Sequence, residues 1–395
     1  MTTPTAPSPA RPAGGFALFN LGFRPFYPLA ALAAVTGVGL WALQLLGAMP
    51  SAGTVSGMAW HAHEMVFGFA AAVIAGFLFT AARNWTGLPT PTGKLLAALC
   101  VLWLAGRIAI VFAPRPVAAA LDLAFLPAVA LALWIPLQRS RNRNRFMVGL
   151  LLLLAGANAA FHLGDAGVLA VPAVDAVRFA LYVVVLLVTI MGGRVIPSFT
   201  ANALPGARVR MRRRLDLSAI AMLAAALAAV LVHPSGIATG LLCVAAAALH
   251  AARLAGWDPW ATRRTPILWI LHLSYAWIPL ALLLHGLAAF GAGVAPMLAD
   301  HAIAVGAVGG VIIGMITRTA HGHSGLPLQV GRLEVTAYGF VHGAAAFRVL
   351  LPLMWPEAHA FAVAASATLW AVAFLLYLLV YVPILVRVRA DGRPG

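Results

Sequence analysis

Twelve apolar runs, each long enough to cross a bilayer, dominate this chain and leave it almost no soluble alternative. Crossing about 30 Å of hydrocarbon takes roughly 20 residues of helix. The runs lie near residues 26–47, 58–82, 94–113, 117–137, 146–164 and 174–199, then near 215–233, 236–255, 265–290, 297–320, 332–354 and 360–386. The turns between the third and fourth runs and between the seventh and eighth are short, resting on Pro114/Pro116 and on Pro234/Gly236. Of the 395 residues, 63% are hydrophobic and 9% charged, where a soluble domain has about 25% charged. In lipid, a helix is the segment that satisfies its own backbone polar groups. The expectation is therefore an all-α membrane protein, a polytopic bundle of about twelve transmembrane helices forming one domain over 16–390. Residues 1–15, rich in Pro, Ala and Thr, are expected to be a disordered cytoplasmic tail, with no signal peptide ahead of the first span.

A formal net charge of +16 would suit a nucleic-acid partner, but its placement argues for lipid. The basic residues are Arg except for Lys94, and they sit in short segments between the runs. One side collects Arg11, Arg24, Arg83, Lys94, Arg139 to Arg145, Arg208 to Arg214, Arg253, Arg263, Arg264, Arg318, Arg332, Arg387, Arg389 and Arg393. The other holds Arg115 and Arg178 among Asp165, Asp175, Asp300 and Glu357. Positive loops stay in the cytoplasm, so both termini are expected there, which requires an even number of spans and so supports twelve. The partner implied is the bilayer and its anionic headgroups, with no nucleic acid. Cys100 and Cys243 lie in separate runs without zinc spacing and read as small core residues.

Ionisable groups inside spans are costly unless paired or facing a cavity, so the twelve His residues are informative. Trp60-His61-Ala62-His63-Glu64-Met65 opens the second span at its outer end. On a helix His61 and Glu64 share a face, while His63 points about 200° from His61. The two His therefore address different neighbours; the plainer alternative is a polar helix start at the interface. Asp300-His301 opens the tenth span, His162 closes the fifth beside Asn158 and Asp165, and His285 lies near the outer end of the ninth. Topology thus puts His61, His63, His162, His285 and His301 in one outer layer, where several could converge on haem or copper.

A second polar group lies on the opposite side. His321-Gly322-His323 at a Gly-flanked helix end could bend both rings onto one metal. Arg194 and Arg318 read either as partners of haem propionates or other anions, or as snorkelling interfacial anchors. His272 with Tyr275, and His342 with Arg348, are further interior candidates. His233, His250 and His359, at span ends, read as structural groups that water can satisfy.

These residues resemble the NnrS family of membrane proteins. The resemblance is carried by Leu18-Phe19-Asn20-Leu21-Gly22-Phe23-Arg24-Pro25-Phe26-Tyr27, by Trp60 through Gly68, and by Gly76 through Arg83-Asn84-Trp85-Thr86-Gly87. Leu104-Ala105-Gly106-Arg107, Gly192 through Thr200 and Arg318-Thr319-Ala320-His321-Gly322-His323 complete it. It implies a bacterial inner-membrane protein containing haem b and copper, tied to nitric oxide, denitrification and resistance to nitrosative stress. Nitric oxide or iron-nitrosyl species would be the partners, with an electron donor left unspecified. A weaker analogy is to the twelve-span catalytic subunit of haem–copper oxidases, though this chain lacks a His-His pair in its seventh span. Two other readings compete: a transporter or channel with a His-lined pathway, and a structural assembly factor.

Overall fold

The computed structural model describes residues 15–49 and 57–392. The expected tail, with Arg11, falls outside these residues apart from Gly15, and so does Arg393. All twelve spans are present as helices: α1 (Phe23–Leu45), α2 (Gly57–Thr86), α3 (Gly93–Phe112), α4 (Arg115–Arg139), α5 (Arg143–Asp165), α6 (Ala173–Ala203), α7 (Arg213–Val232), α8 (Ile237–Ala255), α9 (Pro266–Ala289), α10 (Pro296–His323), α11 (Arg332–Met354) and α12 (Pro356–Leu385). The ends of α2 and α6 overrun the expected boundaries, because Arg83-Asn84-Trp85-Thr86 and Thr200-Ala201-Asn202-Ala203 continue the helical backbone past the apolar stretch. Gly87, at φ +67°, ends α2 with its N–H bonded to the Arg83 carbonyl. The short turns expected between α3 and α4 and between α7 and α8 are real breaks, the second made by Gly236 at φ +117°, a conformation closed to most other residues. Among the described residues there is no strand, only an isolated bridge between Phe16 and Arg387.

Successive helices pack on one another, and α1 packs on α12 to close the bundle. Within it α2 and α10 are the interior helices, with 83% and 72% of their most apolar stretches buried. That is why polar residues on these two helices can face protein rather than lipid. Small residues permit the close approaches: Gly76 of α2 lies against Phe26 and Tyr27 of α1, and Gly306 of α10 against the Trp277 ring of α9.

Two arginines expected as loop anchors are buried in the bundle instead. Arg24 is fully buried and donates to the Leu385 and Arg387 carbonyls at 3.0 and 2.7 Å, so α1 caps the free C-terminal end of α12. Arg253 is buried between helices, donating to Asp216 at 2.7 Å, to Tyr275 Oη at 2.8 Å and to the Thr189 carbonyl at 3.1 Å. Counting basic residues per loop assigns both to the correct end of their helices but says nothing of what they touch.

Both interior helices widen into π-helix, over Glu64–Ala70 in α2 and Ala302–Gly309 in α10. π segments are rare and concentrate at functional sites, because they shift the angular position of every following side chain. In α2 the Gly68 carbonyl accepts a hydrogen bond from Trp103 Nε1 at 3.1 Å.

Candidate functional site

The two π segments border the same space. Met65, Val66 and Phe69 of α2 and Ala304, Val305 and Val308 of α10 line a cavity of about 260 Å³, completed by residues of α1, α6, α11 and α12. One buried water needs about 10–15 Å³, so the space suits something far larger. Its wall is mostly apolar, with Trp41 and Trp370 among the contributors. The polar groups on it are few: His61, Arg178, Asp300, His301, Arg348 and Ser366.

The two His residues are held differently. His301 donates Nδ1–H to the Met297 carbonyl at 2.7 Å, one helical turn back. That bond fixes the tautomer and leaves Nε2 with its lone pair free for a ligand. The His61 ring stacks on Trp41, centroids 4.1 Å apart and planes 20° from parallel, and its Nδ1 is buried with no partner. Arg348 likewise has Nε and Nη1 buried and unpartnered. Asp300 is engaged: it accepts from Arg178 Nε at 3.0 Å and from Tyr182 Oη at 2.8 Å. His285, with Nε2 3.3 Å from Tyr182 Oη and 3.5 Å from Asp300, belongs to this contact and does not border the cavity.

His63, two residues beyond His61, sits in a separate and tightly packed cluster between α2, α3, α4 and α5. It is fully buried. Its Nδ1 lies 3.1 Å from Glu64 Oε1, and its Nε2 lies 3.1 Å from Asp122 Oδ2 and 2.9 Å from Asn158 Oδ1. His162 Nε2 meets the same Asp122 oxygen at 2.9 Å, and Asn158 donates to it at 2.8 Å. Arg107 pairs with both carboxylates, at 2.8 Å to Glu64 and in direct contact with Asp122. The divergence expected of His61 and His63 is thus the difference between a cavity and a cluster. Glu64, expected on the His61 face, turns instead to His63 and Arg107, because the guanidinium brought in by α3 lies on that side.

His63, Asp122 and His162 offer ligand atoms that all lie within 4.8 Å of one another. Two imidazoles and a carboxylate form a donor set compatible with a bound metal ion. Asp122 was not among the sequence candidates, yet a signal for it exists: it is a carboxylate inside the apolar run 117–137, where charge is costly.

The polar group at the opposite end does not assemble as expected. α10 stays helical through His323, so the two rings diverge instead of bending together. His321 spends both nitrogens on protein, Nδ1 on the Pro327 carbonyl at 2.7 Å and Nε2 on Tyr381 Oη at 2.9 Å. The His323 ring packs beside Phe23, centroids 5.6 Å apart. Arg194 donates to Asn144 at 2.9 Å, and Arg318 stacks its guanidinium 3.9 Å over the Phe199 ring. Neither arginine borders the cavity.

Among the lesser candidates, His342 accepts from Trp277 Nε1 at 3.0 Å, and His272 Nε2 lies 2.9 Å from Thr200 Oγ1. His233 and His359 are exposed, in keeping with water-satisfied ends. His250 departs from that expectation. It is fully buried, with Nδ1 2.7 Å from Tyr275 Oη and Nε2 3.1 Å from the Ala219 carbonyl, because α7 and α9 cover the face that would otherwise meet water at a span end.

No curated protein matches this sequence. A family model described as NnrS protein does, over residues 17–389. That stretch includes every helix, both π segments, the cavity and the cluster, and the chain belongs to the NnrS family.

Proposed function

We propose that this protein is a haem-holding membrane protein of nitric oxide metabolism, and that haem b occupies the cavity between α1, α2, α6, α10, α11 and α12. The observation that carries the reading is the presence of His61 and His301 on one apolar wall, each with a nitrogen that no group among the described residues uses. A flat apolar cofactor would suit such a wall, and the neutral imidazoles of His61 and His301, one from each of two helices, would be the residues to hold it. His61 would hold the group from α2, oriented by its stack on Trp41. His301 would hold it from α10, its tautomer set by Met297. Bound there, haem would supply an iron centre able to bind nitric oxide and to change oxidation state. What the chain's own residues contribute is exclusion of water, orientation of the ligands, and the Arg178–Asp300–Tyr182 hydrogen bonds that hold the α6–α10 wall.

Copper, the second metal implied for this family, fits the cluster of His63, Asp122 and His162 by donor chemistry, with Glu64 and Asn158 as orienting neighbours. The protein would sit in a bacterial inner membrane with both termini cytoplasmic, since the arginine-rich loops all lie at the end of the bundle away from the cavity. Its role would be to handle nitric oxide or its iron adducts and so relieve nitrosative stress. A His-lined transport pathway finds less support: His321 is tied to Pro327 and Tyr381 and lies at the other end of α10 from His301.

The test is an optical spectrum and metal analysis of the purified protein, reduced and then exposed to nitric oxide without oxygen. The expected result is a Soret band that moves on nitric oxide addition, with copper present. A protein purified from haem-replete membranes without a Soret band would refute the reading. Nitric oxide consumption with an electron donor then separates an enzyme from a binder.

A further inference from the structure

Arg348 reaches the cavity wall from α11 and is 5% exposed. Among the described residues no carboxylate pairs with it, and its Nε and Nη1 have no hydrogen-bond partner. Among the described residues, the only acid on the cavity wall is Asp300, which is already neutralised by Arg178 and bonded to Tyr182. The remaining wall near α12 is Val363, Ala367 and Trp370, with Ser366. An isolated guanidinium in such surroundings is heavily penalised unless something supplies the opposite charge. It cannot escape by losing its proton, because arginine stays charged.

We infer that Arg348 anchors an oxyanion site in the cavity wall, and that the site takes a carboxylate carried by the cavity's apolar occupant. Guanidinium and carboxylate match in a planar, two-point arrangement, which gives strength and fixes orientation. The inference rests on the haem reading for the source of the carboxylate, which is then a haem propionate. A free small oxyanion such as nitrite offers the same chemistry to the same side chain. The assignment also separates Arg348 from Arg194 and Arg318, whose guanidinium groups are spent on Asn144 and Phe199 away from the cavity.

The full-length protein, produced in haem-deficient cells and kept in detergent micelles, is titrated with iron protoporphyrin IX and with its dimethyl ester. Wild type, Arg348→Gln and Arg348→Lys are compared. Wild type is expected to bind the acid about 10–100-fold more tightly than the ester, the range for a hydrogen bond to a charged group. Arg348→Gln should bind both at the ester's affinity, and Arg348→Lys should fall between. Without ligand, Arg348→Gln should melt at or above the wild-type temperature, because it removes an unpaired buried charge. A clear fall in that temperature would make Arg348 a structural group and overturn the inference. Equal affinity of wild type for acid and ester would overturn it too, while leaving haem in the cavity. If neither porphyrin binds saturably, the haem reading fails and a nitrite titration decides the site. Nitrite raising the melting temperature of wild type but not of Arg348→Gln assigns a free oxyanion; no difference between them rejects the site.

Discussion

Replacing Asp122 with alanine should be among the most damaging single changes in the spans, and its cost can be worked from contacts. The side chain is 2% exposed and touches Arg107, His63, His162 and Asn158. Asp122→Ala leaves the Arg107 guanidinium with Glu64 alone. Removing one partner of a buried ion pair costs about 3–5 kcal/mol. Each buried donor left without an acceptor adds about 1 kcal/mol or more. The expected total is about 4–6 kcal/mol, roughly three to four decades in the folding constant. Asp122→Asn keeps the shape and one acceptor oxygen, so about half that cost is expected.

The sharper measurement is a double-mutant cycle with Arg107→Met. If the two charges are coupled as the geometry indicates, the double variant should cost less than the sum of the singles by at least about 2 kcal/mol. The assay is equilibrium unfolding in mixed micelles by a denaturing detergent, followed by tryptophan fluorescence and circular dichroism. Additive costs, or a loss below about 1 kcal/mol for Asp122→Ala, would refute the claim that this carboxylate ties α2 to α5.

Other expectations are equally direct. His61→Ala should abolish the Soret band, whereas His63→Ala should lower metal content more than haem, and His359→Ala, at an exposed end, should change neither; haem and metal analysis of the three variants checks the division. Gly306→Leu would drive a side chain into the Trp277 ring, so a loss of about 1–3 kcal/mol is expected, with a shifted tryptophan emission in the same unfolding assay. Arg253→Met should cost about 3–5 kcal/mol, since Asp216, the Thr189 carbonyl and Tyr275 all lose their donor. Stability unchanged in that variant would show that the buried arginine is not holding α6, α7 and α9 together.

Much of this molecule is readable residue by residue. The Pro114/Pro116 break and the Pro234/Gly236 break mark real helix ends, because proline and glycine act on the local backbone. The 200° between His61 and His63 is a property of any helix, and it does separate their environments. The failures have a common cause. His321 and His323 share a motif, but α10 stays helical through both, and the His321 ring is held by Tyr381 and the nearby Pro327 while His323 packs beside Phe23 from the far end of the chain. His250 and Arg253 sit near a span end yet are buried, because neighbouring helices decide which face of that end is covered.

The sequence alone determined the twelve crossings, the end of the bundle that carries the arginines, and the layer shared by His61, His63, His162, His285 and His301. Those are properties of hydropathy and charge along one helix at a time. Only the tertiary structure divided that layer into a cavity holding His61, His301 and Arg348 and a packed cluster built on Asp122. Which side chains meet depends on the rotation and crossing of each helix against the others, and on the π winding of α2 and α10. Those choices are made by packing between separate helices, α2 with α3, α4 and α5 in the cluster and α2 with α10 and α11 around the cavity.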